Sequence, residues 1–166
     1  MERAIMIILD TSFLYSFLNK NDANHNKAVE LMNKIISRKF GKPIIFEYVI
    51  DELFTLMINK QPFSYIEKVI DLILQDVEKN IFQIIILTDR ENSLHDIIRL
   101  FKKINEDPNR KKKLSFTDCA ILFAMIQNDI FYLASFDSGF DGILEKIEDG
   151  IYALSSDKIL NLKKIL

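Results

Sequence analysis

The chain holds one cysteine, three prolines, four glycines and no tryptophan in 166 residues. The lone thiol, Cys119, forms no internal disulfide, which excludes a disulfide-stapled secreted scaffold and makes a reducing cytoplasm the expected setting. With so little glycine and proline there is no material for long flexible linkers. One domain over 1–166 is therefore expected, long enough to bury a sizeable core. No apolar run reaches the roughly 18 residues that cross a bilayer, so no membrane span is expected. The opening MERAIMIILD ends in an acid and lacks a small-residue cleavage site, so it reads as a first strand, not a signal peptide. An excess of one charge is missing too: 22 Lys and Arg stand against 24 Asp and Glu, a formal net charge of −2. That balance argues against a nonspecific coat for nucleic acid, while leaving room for an acidic centre beside a basic lip.

What the sequence does have is short apolar runs alternating with helical stripes. Residues 5–9 (IMIIL) are apolar without alternation, as in a strand covered on both faces. Pro43 to Phe46, Phe82 to Leu87, Phe131 to Ser135 and Ile151 to Leu154 are the other strand candidates. Asn24 to Arg38 carries Ala28, Leu31, Met32, Ile35 and Ile36 at helical spacing. Further stripes run through Phe46, Val49, Ile50, Leu53, Phe54 and Met57, and from Ile66 to Val77. Thr88-Asp89 is a candidate cap for a helix showing Leu94, Ile97, Ile98, Phe101 and Ile104. Residues 116–127 are apolar nearly all round. This alternation predicts an α/β domain with a mostly parallel sheet between helices. Ligands of such sheets bind beyond the carboxyl ends of the strands.

Four acids lie at places where such a site would form. Asp10 closes the first strand candidate, although capping the next helix would explain it equally well. Glu52 has apolar neighbours one turn away, Val49 and Leu56, which place it at a border between core and cleft. A carboxylate there is costly unless paired or bound to metal. Asp51 is expected on the solvated face, near Glu47 and Thr55. Asp118 fits the serine-to-acid spacing of a capping box with Ser115, but capping does not explain the apolar helix behind it. Asp137 follows the strand candidate FYLAS, and its simpler reading is a turn shaped by Gly139. Asp141 is either a further ligand, direct or through water, or a second turn residue.

The phrases IILDTSFL, VIDELFTL, LSFTDCAI and LASFDSGFD, in that order and across essentially the whole chain, resemble the PIN-domain nucleases, especially the VapC toxins. The resemblance implies a three-layer α/β/α sandwich with a mostly parallel central sheet, the first strand central beside the fourth. It implies an active site of Asp10, Glu52, Asp118 and Asp137, with Ser12 ordering the first carboxylate or a substrate phosphate. Ser135 stands where the family commonly has threonine, and its hydroxyl can make the same hydrogen bond. RNA as substrate, a homodimer and a small antitoxin partner are likewise implications of the resemblance.

Gathered carboxylates repel one another unless a cation joins them. Oxygen-only donors suit Mg²⁺ or Mn²⁺, and neither His25 nor His95 falls in a carboxylate motif, which weakens the case for zinc. The expected arrangement has Asp10 and Asp118 on the principal metal, Asp137 assisting, and Glu52 orienting water or a second ion. The basic run Arg110, Lys111, Lys112 and Lys113 is either a solvated loop or a grip on the phosphate backbone. Phe13, Tyr15 and Phe17 read as core or dimer surface, His25 as a local hydrogen-bonding residue and Cys119 as inert core. The expectation is a metal-dependent endoribonuclease, with a housekeeping RNA-processing nuclease or a silent RNA-binding scaffold as alternatives. A phosphotransfer receiver is disfavoured, because Asp10-Thr11-Ser12 lacks a second Asp.

Overall fold

The computed structural model describes residues 5–87 and 92–166. The first half runs β1 (Met6–Leu9), α1 (Thr11–Leu18), α2 (His25–Ile36), β2 (Lys42–Phe46), α3 (Glu47–Ile58) and α4 (Phe63–Glu78). The second half runs β3 (Gln83–Ile85), α5 (Ser93–Glu106), α6 (Phe116–Asn128), β4 (Tyr132–Ala134), β5 (Glu145–Glu148), β6 (Ile151–Ala153) and α7 (Ser156–Lys163). The strands form one sheet in the order β3-β2-β1-β4-β6-β5. The first four are parallel, whereas β6 and β5 join antiparallel. With helices around it, this is a three-layer α/β/α sandwich, and β1 lies beside β4 at its centre, as the sequence led one to expect.

Burial follows the apolar runs. Ile7, Ile8 and Leu9 of β1 and Ile44 and Ile45 of β2 are fully buried, which is why their side chains show no alternation. In α6 every residue from Asp118 to Ile126 is buried, as an all-round apolar helix must be. Its partner α5 differs from the expected stripe. The buried face runs through Ser93, Ile97, Leu100 and Ile104, while Leu94, Ile98 and Phe101 are exposed. Ile97 and Ile104 belong to both stripes, so spacing alone could not choose between them. The Ser93 hydroxyl sets the rotation by donating to the Leu87 carbonyl.

Two further corrections concern charge. Glu47 is half-buried instead of solvated, and its Oε1 accepts the Leu87 N–H at 2.7 Å. That bond ties the start of α3 to the end of the β3 segment. Strand β5 reads EKIE and was not legible as a strand; it is the antiparallel edge, where charged side chains blunt unwanted pairing. The candidate cap Thr88-Asp89 lies outside the described residues, and Asn92 precedes α5 in a left-handed conformation (φ 65°).

Candidate active site

Asp10 follows β1 directly, and its N–H donates to the Ala134 carbonyl of β4 at 3.0 Å. The two central strands therefore fix its backbone. Its Oδ1 caps α1 by accepting the Thr11 N–H at 2.7 Å. Its Oδ2 accepts both the Ser12 hydroxyl at 2.7 Å and the Ser135 hydroxyl at 2.6 Å. The same two hydroxyl oxygens accept backbone N–H groups beyond β4: Phe136 N–H on Ser12 and Asp137 N–H on Ser135, each at 3.0 Å. Capping and placement at the site are thus compatible roles for Asp10, and Ser135 makes the bond expected where threonine is common. Phe13 and Phe136 stack alongside at 5.9 Å and close this corner against the core.

Glu52 projects from α3 between buried Val49 and half-buried Leu56. Its Oε2 accepts the Thr11 hydroxyl at 2.6 Å. Thr11 was not among the expected site residues, since nothing in its sequence context points to a partner 41 positions away. Asp118 makes the full capping box: its N–H donates to Ser115 Oγ at 3.1 Å, and its Oδ2 accepts the Ser115 N–H at 2.8 Å.

Asp137 begins a short 3₁₀ turn, Ser138–Phe140, and its Oδ1 accepts the Gly139 N–H at 2.6 Å. A Cβ at Gly139 would come within 2.9 Å of that oxygen and of the Leu114 side chain, so a larger residue there would have to displace them. The same Oδ1 receives the Lys112 ammonium at 2.6 Å. The basic run is thereby divided among different tasks. Arg110 donates to the Gly139 carbonyl, and Lys113 donates to the Asn105 and Asp107 carbonyls at the end of α5. Lys111 is exposed, and only Lys112 reaches a candidate site carboxylate.

All four acids line one pocket of about 240 Å³, with Thr11, Ser12, Leu56 and Ser115. Asp10 is 2% and Asp118 6% exposed. Burial pushes the Asp118 carboxyl up to about 7, helped by the nearby charges of Asp10 and Asp137 and opposed by the Ser115 N–H bond. Burial also raises Asp10, against the lowering effect of the Ser135, Ser12 and Thr11 bonds and with a small contribution from Glu52. Desolvated carboxylates that raise one another form a site that favours a proton or a cation.

The donor set fits a hard divalent ion, being all carboxylate oxygen. Glu52 Oε1, Asp118 Oδ1 and Asp137 Oδ2 carry no hydrogen bond among the described residues, although the other oxygen of each does. As the side chains stand, no three His, Cys, Asp or Glu among the described residues are close enough to cage an ion. The acids share a pocket while each is held by a protein partner. Asp141 lies apart, accepting the Tyr152 hydroxyl at 2.7 Å beside a separate concavity. His25 Nδ1 donates to the Ser16 carbonyl at 2.9 Å, which assigns the proton to that nitrogen. Cys119 is fully buried, and burial with the Asp118 charge pushes its thiol up to about 12.

The four acids thus share a pocket beyond the carboxyl ends of β1 and β4, in a sheet ordered β3-β2-β1-β4-β6-β5. The PIN domain profile matches residues 7–144, and the chain belongs to the PIN domain family. Among solved structures it is similar to the crystal structure of VapC20 from Mycobacterium tuberculosis, a toxin that cleaves the sarcin-ricin loop. The two agree with a TM-score of 0.62 at 17% identity, over 81% of this chain and 91% of that one. At that identity the likeness is one of fold. No curated protein sequence matches the chain at a significant level.

Proposed function

We propose that the protein is a Mg²⁺- or Mn²⁺-dependent endoribonuclease of the VapC type, the toxin of a toxin–antitoxin pair. The observation that carries this reading is the convergence of Asp10, Glu52, Asp118 and Asp137, from four separate segments, on one pocket. Asp10 and Asp118 would hold the principal ion, with Asp137 helping directly or through water. A bound divalent ion supplies neutralisation of these carboxylates and activation of a water for attack on phosphorus.

The chain's own residues do the positioning. Ser12 and Ser135 hold Asp10 in one orientation, a support that metal ligands regularly need. Glu52, steadied by Thr11, orients the attacking water through its uncommitted Oε1. Lys112 stands beside Asp137 and is placed to meet a substrate phosphate. Single-stranded or looped RNA suits the site, because its backbone bends into a cleft. The exposed apolar face of α5, with Leu94, Ile98 and Phe101, supports association with a second copy or an antitoxin. No described helix is long and apolar enough to cross a membrane.

The test incubates purified protein with an RNA pool and Mg²⁺ or Mn²⁺, beside Asp10→Asn and Asp118→Asn. Cleavage by the wild type alone supports the reading. Equal cleavage by all three points to a contaminating nuclease, and absence of both cleavage and Mn²⁺ binding identifies a silent scaffold.

A further inference from the structure

A second concavity, of about 360 Å³, opens from the carboxylate pocket and shares Ser12, Leu56 and Asp137 with it. Its composition differs from that of its neighbour. Half-buried Tyr15 and Phe136 supply aromatic surface, and Lys60 and Lys112 supply two ammonium groups. The Lys60 ammonium lies 5.6 Å from the centre of the Tyr15 ring and makes no ion pair among the described residues. The acids on this wall are already engaged: Asp22 accepts the Asn24 N–H at 2.8 Å, and Asp137 holds Lys112. Aromatic surface beside one unpaired ammonium, Lys60, and a second, Lys112, held only by an exposed ion pair, opening onto a carboxylate pocket, is the chemistry that binds a base and its phosphate together.

We propose that this concavity is a subsite for one unpaired nucleotide flanking the scissile phosphate. Its base stacks on Tyr15 and its phosphate bridges Lys60 and Lys112. The assignment rests on the ribonuclease reading and adds to it. Tyr15 lies one helical turn beyond Thr11 on α1, so it is carried by the same rigid element that places Asp10, Thr11 and Ser12. The nucleotide entering here is thereby held in register with the carboxylates. Tyr15, expected from the sequence to be core or dimer surface, gains a role that its half-buried ring on the concavity wall and its neighbouring cation permit.

The test measures binding of a fluorescein-labelled uridine octanucleotide in EDTA, where no metal supports cleavage, across a salt series. Lys60→Gln is expected to make the dependence of log affinity on log salt shallower by about 0.7, one lost phosphate contact on a single strand. Tyr15→Leu is expected to weaken binding about five- to a hundredfold, with Tyr15→Phe restoring it. An octamer abasic at every position is expected to be insensitive to Tyr15→Leu, and equal losses for both oligonucleotides would overturn the stacking assignment. Melting temperatures of the variants separate lost stacking from lost folding. If wild type cleaves RNA with Mn²⁺ while Lys60→Gln and Tyr15→Leu bind the octamer as wild type does, the subsite falls and the nuclease stands. That result would leave the concavity to a peptide segment. If wild type neither binds the octamer nor cleaves RNA, both fall together.

Discussion

The two sides of the carboxylate pocket are built differently. On one side Asp10 is buried, both its oxygens accept hydrogen bonds, and the hydroxyls that hold it are pinned by the backbone just beyond the neighbouring strand β4. On the other side Asp137 is about a quarter exposed, precedes a short turn, and faces the half-exposed Lys112. The first side is set by the sheet and is costly to disturb. The second is set by an exposed ion pair, whose net worth is about 0–1 kcal/mol. A metal ion and a substrate phosphate bound as proposed above would meet one prearranged wall and one that exchanges partners.

The largest effect should come from breaking the rigid side at its centre. Asp10→Asn is expected to lower Mn²⁺-supported RNA cleavage by about a hundredfold or more, read as initial rates on a defined RNA. Asp118 sharpens the comparison through pH. Its carboxyl is raised to about 7 in the folded protein, against an ordinary value near 3.8. The folded state therefore binds more protons than the unfolded one between those values, so metal-free stability falls as pH rises from about 4 to 7. Asp118→Asn should remove its own share of that fall, a difference on the order of a few kcal/mol at pH 8, and leave the part due to the raised Asp10, measured by urea denaturation in EDTA. Failure of the variant to flatten the pH profile would show that Asp118 is not the strained group.

Supporting hydroxyls come next. Ser135→Ala is expected to cost about tenfold in cleavage or Mn²⁺ affinity, as for groups that orient metal ligands, and Ser135→Thr should restore it. The smallest effect belongs to the adaptable side. Lys112→Gln frees Asp137 and is expected to tighten Mn²⁺ binding by about two- to fivefold in calorimetry, while weakening the affinity for RNA. A Lys112 effect as large as that of Asp10 would erase the distinction between the two walls.

Much of this arrangement was legible in the chain. Unbroken apolar runs located β1, β2 and β4, because strands covered on both faces need no polar alternation. The acids at their ends followed from where parallel sheets expose their carboxyl edges. What escaped was set by tertiary contact. The edge strand β5 is too charged to announce itself, and α7 buries only Leu162. The rotation of α5 depended on Ser93, a residue with no apolar signature. Thr11 meets Glu52, and Lys112 meets Asp137, only after distant segments come together. The basic run looked uniform as a string of charges, yet folding gives Arg110, Lys112 and Lys113 different partners.

The Ser135–Asp10 bond joins residues 125 positions apart and depends on β4 lying beside β1. Until the chain has been made past residue 137, neither Ser135 nor Asp137 is present to complete the pocket. A nascent chain holding only its first hundred residues therefore carries Asp10 and Glu52 without the rest of the constellation. For the ribonuclease proposed above, whose template and synthetic machinery are themselves RNA, that order of assembly would delay activity until the chain has been made past residue 137.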